Sequence, residues 1–328
     1  MKKAFVLVFA AVLAIMVIGC TGKGSAKSSG PKAISDIHIG FVGMTLNNEF
    51  HVTLANGARE KAKELGVKID VQAGDQHAST DQQLTIIENM LANNVDGIII
   101  VPSSSEGLES ALRKCQEKKL PVINADTRLN ATIVRNVGME IPFYGTNNYE
   151  GAKLAGQYAA KNMPAGCITA ILTGIEGHQN TSDRLNGFKD GAGSAIKVVA
   201  EQTANWEVDQ GYTAAQNIIS ANPNLQLFFC SNDNMGIGAL RAVQEARKQN
   251  QIKIIGFDAV SEALNLVESG EFMCTVAQYP AEMGILSVEN LVKWIRGEPY
   301  EKEIDTGCKV ITKDNVNEHK KYTARFVY

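Results

Sequence analysis

Residues 39–65 read IGFVGMTLNNEFHVTLANGAREKAKEL, and this stretch decides the architecture. A short apolar run, residues 39–42, ends in a polar turn. Leu54, Ala58, Ala62 and Leu65 then recur at three- and four-residue spacing, which draws one apolar face of a helix. The unit repeats down the chain. Apolar runs at 67–71, 97–101 and 121–124 alternate with the helical faces Leu84, Ile87, Leu91 and Leu108, Leu112, Cys115. Near-continuous apolar strands between amphipathic helices predict βαβ units and a parallel sheet covered on both faces.

The alternation restarts after a helical stretch at 148–161. Runs at 168–172, 196–200, 225–229 and 252–257 are separated by amphipathic segments such as 212–219 and 238–247. A chain of 328 residues is long enough for two domains at roughly 150 residues each. The predicted fold class is therefore α/β, with two Rossmann-like lobes. Ligands of such sheets bind beyond the carboxyl ends of the strands, so two facing sheets make a cleft.

Charge narrows the partners. The net charge is −3, and removal of Lys2 and Lys3 with a leader makes it −5. Nucleic acid needs clustered Lys and Arg, and no such run occurs, so none is expected as a partner. Lys2 and Lys3 precede an apolar run at 4–18 and then Gly19-Cys20, the layout of a secretory leader. Val17-Ile18-Gly19-Cys20 resembles a bacterial lipobox, with Val17 in place of the more usual Leu. That likeness implies lipidation of Cys20 after a signal peptide at 1–20. Gly-, Ser- and Lys-rich residues from 21 to 36 read as a flexible tether. An uncleaved membrane anchor is the competing reading, and both put the body outside the cytoplasm, held at a membrane.

Five cysteines remain besides Cys20, an odd set. Cys167, Cys230 and Cys274 sit at apolar strand-like runs, where Cys behaves as a small buried hydrophobe. The disulfide state of these, of Cys115 and of Cys308 stays open. No Cys or His spacing suggests a metal site, and no cofactor is expected.

The side chains just after each strand line the expected cleft. They are Asn48 and Phe50 after the first strand and Asp126 after the fourth. In the second half they are Arg184, Trp206, Asn232, Asp258 and Gln278. This set suits a polyol. A hydroxyl both donates and accepts, so a dry site needs carboxylates to accept and Arg or amides to donate. Phe50 and Trp206 offer flat apolar faces to the C–H side of a sugar ring. Each residue also has a plainer reading: Asp258 as a helix cap, Asn47 as a turn residue, Trp206 as packing, Asp183 and Asp233 as helix-end groups.

Five motifs in order resemble the ribose-binding protein group of periplasmic sugar-binding proteins. They are Thr45–Phe50, Arg184-Leu185-Asn186-Gly187-Phe188, Ser231-Asn232-Asp233-Asn234-Met235, Gly256-Phe257-Asp258 and Ala277-Gln278-Tyr279-Pro280. The likeness spans about residues 36–316. It implies two lobes joined by three crossovers near Asn147, Gln278 and Thr306, closing on a monosaccharide delivered to an ABC permease. The implied lobes are 37–146 plus 279–306 and 147–278 plus 307–328. The implied ligand residues are Asn48, Phe50, Asp126, Arg184, Trp206, Asn232, Asp258 and Gln278, and a monomer is expected. The chain departs from the ribose binders at Met44 (Ser there), His51 (a second Phe), Thr127 (Arg) and Trp206 (Phe). Arg128 is expected as a substitute for the missing Arg, while His51 and the segment His178-Gln179-Asn180 add polar contacts. These departures favour another aldose or a polyol over ribose itself.

Competing functions remain. The same body could feed a chemoreceptor or sensor kinase, or bind a furanone signal or a nucleoside. A dinucleotide enzyme needs G-x-G-x-x-G at the first strand–helix turn, but Gly43-Met44-Thr45-Leu46-Asn47-Asn48 fails it, and no nucleophile elbow or phosphate loop occurs. An enzyme is not expected. A DNA-binding repressor is set aside because a leader and tether occupy the place of its DNA-binding domain.

Overall fold

The computed structural model describes residues 31–326. The leader, Cys20 with its lipobox, and the tether before residue 31 lie outside the described residues. The tether ends earlier than residue 36. Ile34–Asp36 form a single 3-10 turn, Ile34 packs on the core, and Arg296 Nη1 donates to the Lys32 carbonyl at 2.9 Å.

The first lobe begins β1 (His38–Thr45), α1 (Glu49–Leu65), β2 (Lys68–Gly74) and α2 (Thr80–Ala92). It continues with β3 (Gly97–Ile100), α3 (Glu109–Glu117), β4 (Val122–Ala125), α4 (Ala131–Val137) and β5 (Phe143–Gly145). The second lobe runs α5 (Asn148–Asn162), β6 (Cys167–Thr173), α6 (Gln179–Ala192), β7 (Ile196–Thr203) and α7 (Val208–Ala221). Then come β8 (Leu227–Cys230), α8 (Asp233–Glu245), β9 (Lys253–Ile255), α9 (Ser261–Ser269) and β10 (Thr275–Ala277). The chain ends with α10 (Pro280–Ile295), β11 (Glu303–Asp305), β12 (Lys309–Ile311) and α11 (Val316–Thr323).

One parallel sheet has the order β11-β5-β4-β3-β1-β2. The other is parallel in the order β7-β6-β8-β9. Bridges Ile255–Cys274 and Asp258–Ala277 carry it on to β10, which pairs antiparallel with β12. The chain therefore changes sheet after β5, after β10 and after β11.

The central strands are buried along their whole length, as their unbroken apolar runs require. Edge strands differ from the sequence reading. β2 runs to Gly74 and β7 to Thr203, each three residues past the predicted end. Both are partly exposed, so their later residues alternate with polar side chains and the apolar run stops early. At 252–257 only Lys253–Ile255 is strand, because Gly256 and Phe257 belong to the bend that reaches β10. α8 starts at Asp233, five residues before the predicted segment.

Glycines set the closest helix contacts. A Cβ on Gly57 would lie 2.2 Å from the Ala281 carbonyl, so α1 and α10 touch backbone to backbone. Gly238 does the same for α8 against the Val208 carbonyl at 2.1 Å, which accounts for the isolated Gly236-Ile237-Gly238 as packing. Cys115, Cys167, Cys230 and Cys274 are buried free thiols and Cys308 is a half-buried one. Among the described residues no helix is long and apolar enough to cross a membrane.

Candidate functional site

A cavity of about 320 Å³ lies between the carboxyl ends of the two sheets. Asn48, Phe50, His51 and Asp126 line it from the first lobe, and Arg184, Trp206, Asn232 and Asp258 from the second. All eight were read from the sequence as site residues. Met44, Thr127 and Asn180, noted there as departures or extra contacts, line it too.

Local structure explains the placement. Asn48 caps α1 by accepting from Phe50 N, and Asn232 caps α8 by accepting from Met235 N. Asn is a strong N-cap, so the fold fixes both amides for its own purposes. In doing so it consumes both carbonyl oxygens and leaves the NH2 groups as donors. One Asn48 N–H goes to His77 Nε2 at 3.3 Å, and one Asn232 N–H to the Trp206 carbonyl at 3.1 Å. Each amide keeps one N–H for a ligand.

Backbone strain marks three of the lining residues. Asp126, Trp206 and Asp258 have φ of +60°, +70° and +115°. L-residues enter this region at a cost of order 1–3 kcal/mol each, and such strain collects at functional sites. Here it bends the chain sharply past the strand ends β4, β7 and β9, where these three residues line the cavity.

The polar groups form a donor–acceptor set. Arg184 Nε donates to Asn148 Oδ1 at 2.7 Å, and Nη1 donates to the Ser231 carbonyl at 2.6 Å and to Asp258 Oδ1 at 3.3 Å. The guanidinium carbon lies 3.9 Å from the Phe257 ring centre and 5.3 Å from that of Trp206. Nη2 makes no hydrogen bond within the described protein. Asp258 Oδ1 also accepts from Gln278 Nε2 at 2.7 Å, and Asp126 Oδ2 accepts from the Thr127 hydroxyl at 2.9 Å. The second oxygen of each carboxylate accepts no hydrogen bond from the described residues.

Burial governs the protonation states. It pushes the Asp126 carboxyl up, and the Asp258 carboxyl up to about 6 against the opposing pull of Arg184. Burial, helped by His77 and Arg184, holds His51 well below the usual imidazole range, so its ring is neutral. His51 Nδ1 is buried without a hydrogen-bond partner among the described residues. With neutral His51, the lining carries two carboxylates against one guanidinium, which disfavours an anionic ligand.

Some residues sit elsewhere. Gln278 does not line this cavity; it reaches it only through Asp258 and borders a neighbouring hollow with Glu49 and Tyr322. Arg128 does not take the role expected of it. It pairs with Glu303 at 2.8 Å and lies over the Phe143 ring at 3.7 Å, facing the crossover side of the molecule. Of the His178-Gln179-Asn180 segment only Asn180 lines the cavity. His178 Nε2 donates to the Ser103 carbonyl at 2.6 Å, across the lobes. Asp233 takes hydrogen bonds from Thr275 Oγ1 and Val260 N away from the cavity, and Asn47 is an exposed turn residue donating to the Asp75 carbonyl. His77 was missed. It follows β2, whose true end at Gly74 lies past the predicted one, so its place beyond a strand end was hidden. Among the described residues no cluster of His, Cys, Asp or Glu could hold a metal ion.

Comparison with known proteins identifies the family and the fold. Residues 39–299 match the family model of the periplasmic binding protein domain. A D-ribose/D-allose-binding protein of Pseudomonas aeruginosa is 30% identical over 270 residues, covering 81% of this chain and 85% of that one. A D-allose-binding periplasmic protein of Escherichia coli is 32% identical over 252 residues, covering 76% and 81%. A solved structure of an ABC transporter periplasmic solute binding protein from Actinobacillus succinogenes, with bound D-allose, superposes with a TM-score of 0.81 at 32% identity. It covers 86% of this chain and 99% of that one.

Proposed function

Because the chain belongs to the periplasmic binding protein family, we propose that it captures a single uncharged monosaccharide or cyclic polyol between its lobes and delivers it to an ABC importer. The observation that carries this reading is the donor–acceptor balance of the cavity. Asp126 and Asp258 each hold out one free carboxylate oxygen, while Arg184 Nη2, Asn48 and Asn232 hold out free N–H groups. Ring hydroxyls can serve all of them at once, and a wrong epimer leaves at least one buried group unpaired, at about 1–3 kcal/mol. Phe50 and Trp206, from opposite lobes, take the two apolar faces of the ring. Loss of the family's second Arg at Thr127 and the presence of Trp206 favour an allose-like hexose or a cyclitol over ribose.

In this reading the protein binds and releases its ligand unchanged, and is not an enzyme. The ligand bridges the lobes and biases an open–closed equilibrium toward a closed form that the permease recognises. Lipid on Cys20 holds the body at the outer face of a membrane, and the tether lets it reach the permease as a monomer.

Thermal melting of the intact protein in mild detergent, against aldoses, ketoses, cyclitols, sugar acids and sugar phosphates, tests the ligand class. A ligand at about 100 times its Kd stabilises by ~2.7 kcal/mol. A shift with a neutral hexose or cyclitol and none with the anionic sugars is expected; a shift confined to anions, furanones or nucleosides overturns it. Metabolic labelling with a radioactive fatty acid tests the anchor, since label is expected on the wild type and lost in Cys20→Ser, whereas an unlabelled wild type overturns the lipid anchor.

A further inference from the structure

The N-terminus of α1 meets the opposite lobe at two points, directly through Glu49 and by way of His77 through Asn48. The Glu49 carboxylate oxygen Oε1 accepts from Ser261 N at 2.9 Å and from Ser261 Oγ at 2.7 Å. Ser261 opens α9, and the residue before it, Val260, offers no side-chain cap. Glu49 therefore supplies from the first lobe the cap that α9 lacks in its own lobe, with its negative charge at the positive end of the helix. On the other flank, His77 Nδ1 donates to Glu207 Oε1 at 2.7 Å. With that proton on Nδ1, the Nε2 lone pair faces Asn48 and accepts from its Nδ2. The hydrogen bond from His77 pulls the Glu207 carboxyl below its usual range.

These contacts bracket the ligand residues. Asn48 and Phe50 line the cavity, and Glu49 stands between them without lining it. Across the cleft, α9 follows directly on Asp258 and its strained neighbour Ala259 at φ +59°. Opening the lobes would uncap α9, free Glu207, and release the second hold on the Asn48 amide in a single motion.

We infer that Glu49 and Glu207 are positioning residues that set affinity through closure alone, acting on every ligand by the same factor. The inference rests on the sugar-capture reading, because a bound ring is what the closed form retains. Two hydrogen bonds to one half-buried carboxylate are worth about tenfold in the closing equilibrium, and a variant that loses them loses that factor in apparent affinity.

Calorimetric titration of the intact protein with D-allose, D-ribose and myo-inositol as probes tests this, on wild type, Glu49→Ala, Glu49→Gln and Glu207→Ala. Glu49→Ala is expected to weaken each bound probe about tenfold, and Glu207→Ala, which loses one hydrogen bond rather than two, about threefold, with the ratios between probes unchanged. Glu49→Gln, which keeps an acceptor oxygen for Ser261, is expected to recover most of the loss. Melting of the ligand-free variants separates lost closure from lost folding, since the cap on α9 is made only in the closed form. Unchanged affinities, or losses that differ from probe to probe, overturn the inference. A wild type that binds none of the probes overturns the sugar-capture reading itself, and the inference with it.

Discussion

Asn148 Oδ1 accepts a 2.7 Å hydrogen bond from Arg184 Nε, and the same amide donates to the Thr146 carbonyl at 3.2 Å. Asn148 is the first residue of α5, just beyond the β5 crossover, so the cation of the site is tied to a hinge segment. Asn148→Ala removes one fixed acceptor of a charged donor, and binding is expected to weaken by about 1.5–3 kcal/mol. Titration checks the value. In an Arg184→Lys background, which has no Nε–H, the Asn148 effect is expected to vanish.

Arg184→Ala is expected to abolish binding in a protein that still folds. The change removes the only guanidinium lining the cavity and strands Asp258, whose Oδ1 would keep only Gln278. Circular dichroism and ligand-dependent melting together check it. Retained affinity with unchanged preference would remove Arg184 from the site.

Trp206 packs directly on Gly174. A Cβ on Gly174 would lie 1.8 Å from its Cζ2 atom, so Gly174→Ala must displace the indole. We expect Gly174→Ala and Trp206→Ala to weaken binding alike, by ~2 kcal/mol, through lost contact with the ring face. The other tryptophan, Trp294, stacks on Tyr300 away from the cleft. Ligand-induced emission change in a Trp294→Phe protein is therefore expected to persist, and to disappear in Trp206→Ala.

On the sugar-capture reading, acid is expected to weaken binding through Asp258. Its carboxyl stands at about 6, above the ordinary 3.8, because burial opposes its charge. The folded protein thus holds a proton that the unfolded chain gives up in that window. Ionising Asp258 therefore costs stability as pH rises through it. Ligand hydroxyls donate to the ionised form, so affinity is expected to fall as pH drops below about 6. Titrations across the window check this, and Asp258→Asn should flatten the slope while binding weakly throughout.

His319 works on the scaffold instead. Burial, with Lys309 close by, lowers it from 6.5 to about 4, and its Nε2 is buried without a partner. The unfolded chain takes up the proton first, so stability is expected to fall as pH drops from 6.5 toward 4. The loss is on the order of 3 kcal/mol if the whole shift is realised. Melts of wild type and His319→Gln across that range check it; the variant should show a shallower decline.

How far the site was legible follows from where each residue sits on its strand. Asp126 and Asn232 follow central strands, whose apolar runs end within one residue of the strand end, and Asp258 directly follows an apolar run that continues two residues past β9. Counting outward from those runs lands on the cavity. His77 and Trp206 follow edge strands, whose polar second halves blur the end. Trp206 was still read from its place beyond the run at 196–200, and His77 was not found. Arg128 and Gln278 stand close in sequence to the cleft, but Glu303 with Phe143 holds the first away from it, and Asp258 stands between the second and the cavity.

The amino-acid sequence alone determined the strand–helix alternation, its restart from α5 onward, and the chemical character of the polar groups, but not the short strand β5 that precedes the restart. Those properties are local: periodicity follows from backbone geometry, and donors and acceptors belong to residue types. Only the tertiary structure decided which groups remain free for a ligand. Capping by Asn48 and Asn232, the tether from Asn148 to Arg184 and the cross-lobe hold of Glu49 on Ser261 each consume hydrogen-bonding capacity. They join residues up to 212 positions apart, and such pairings exist only once the lobes have folded and met.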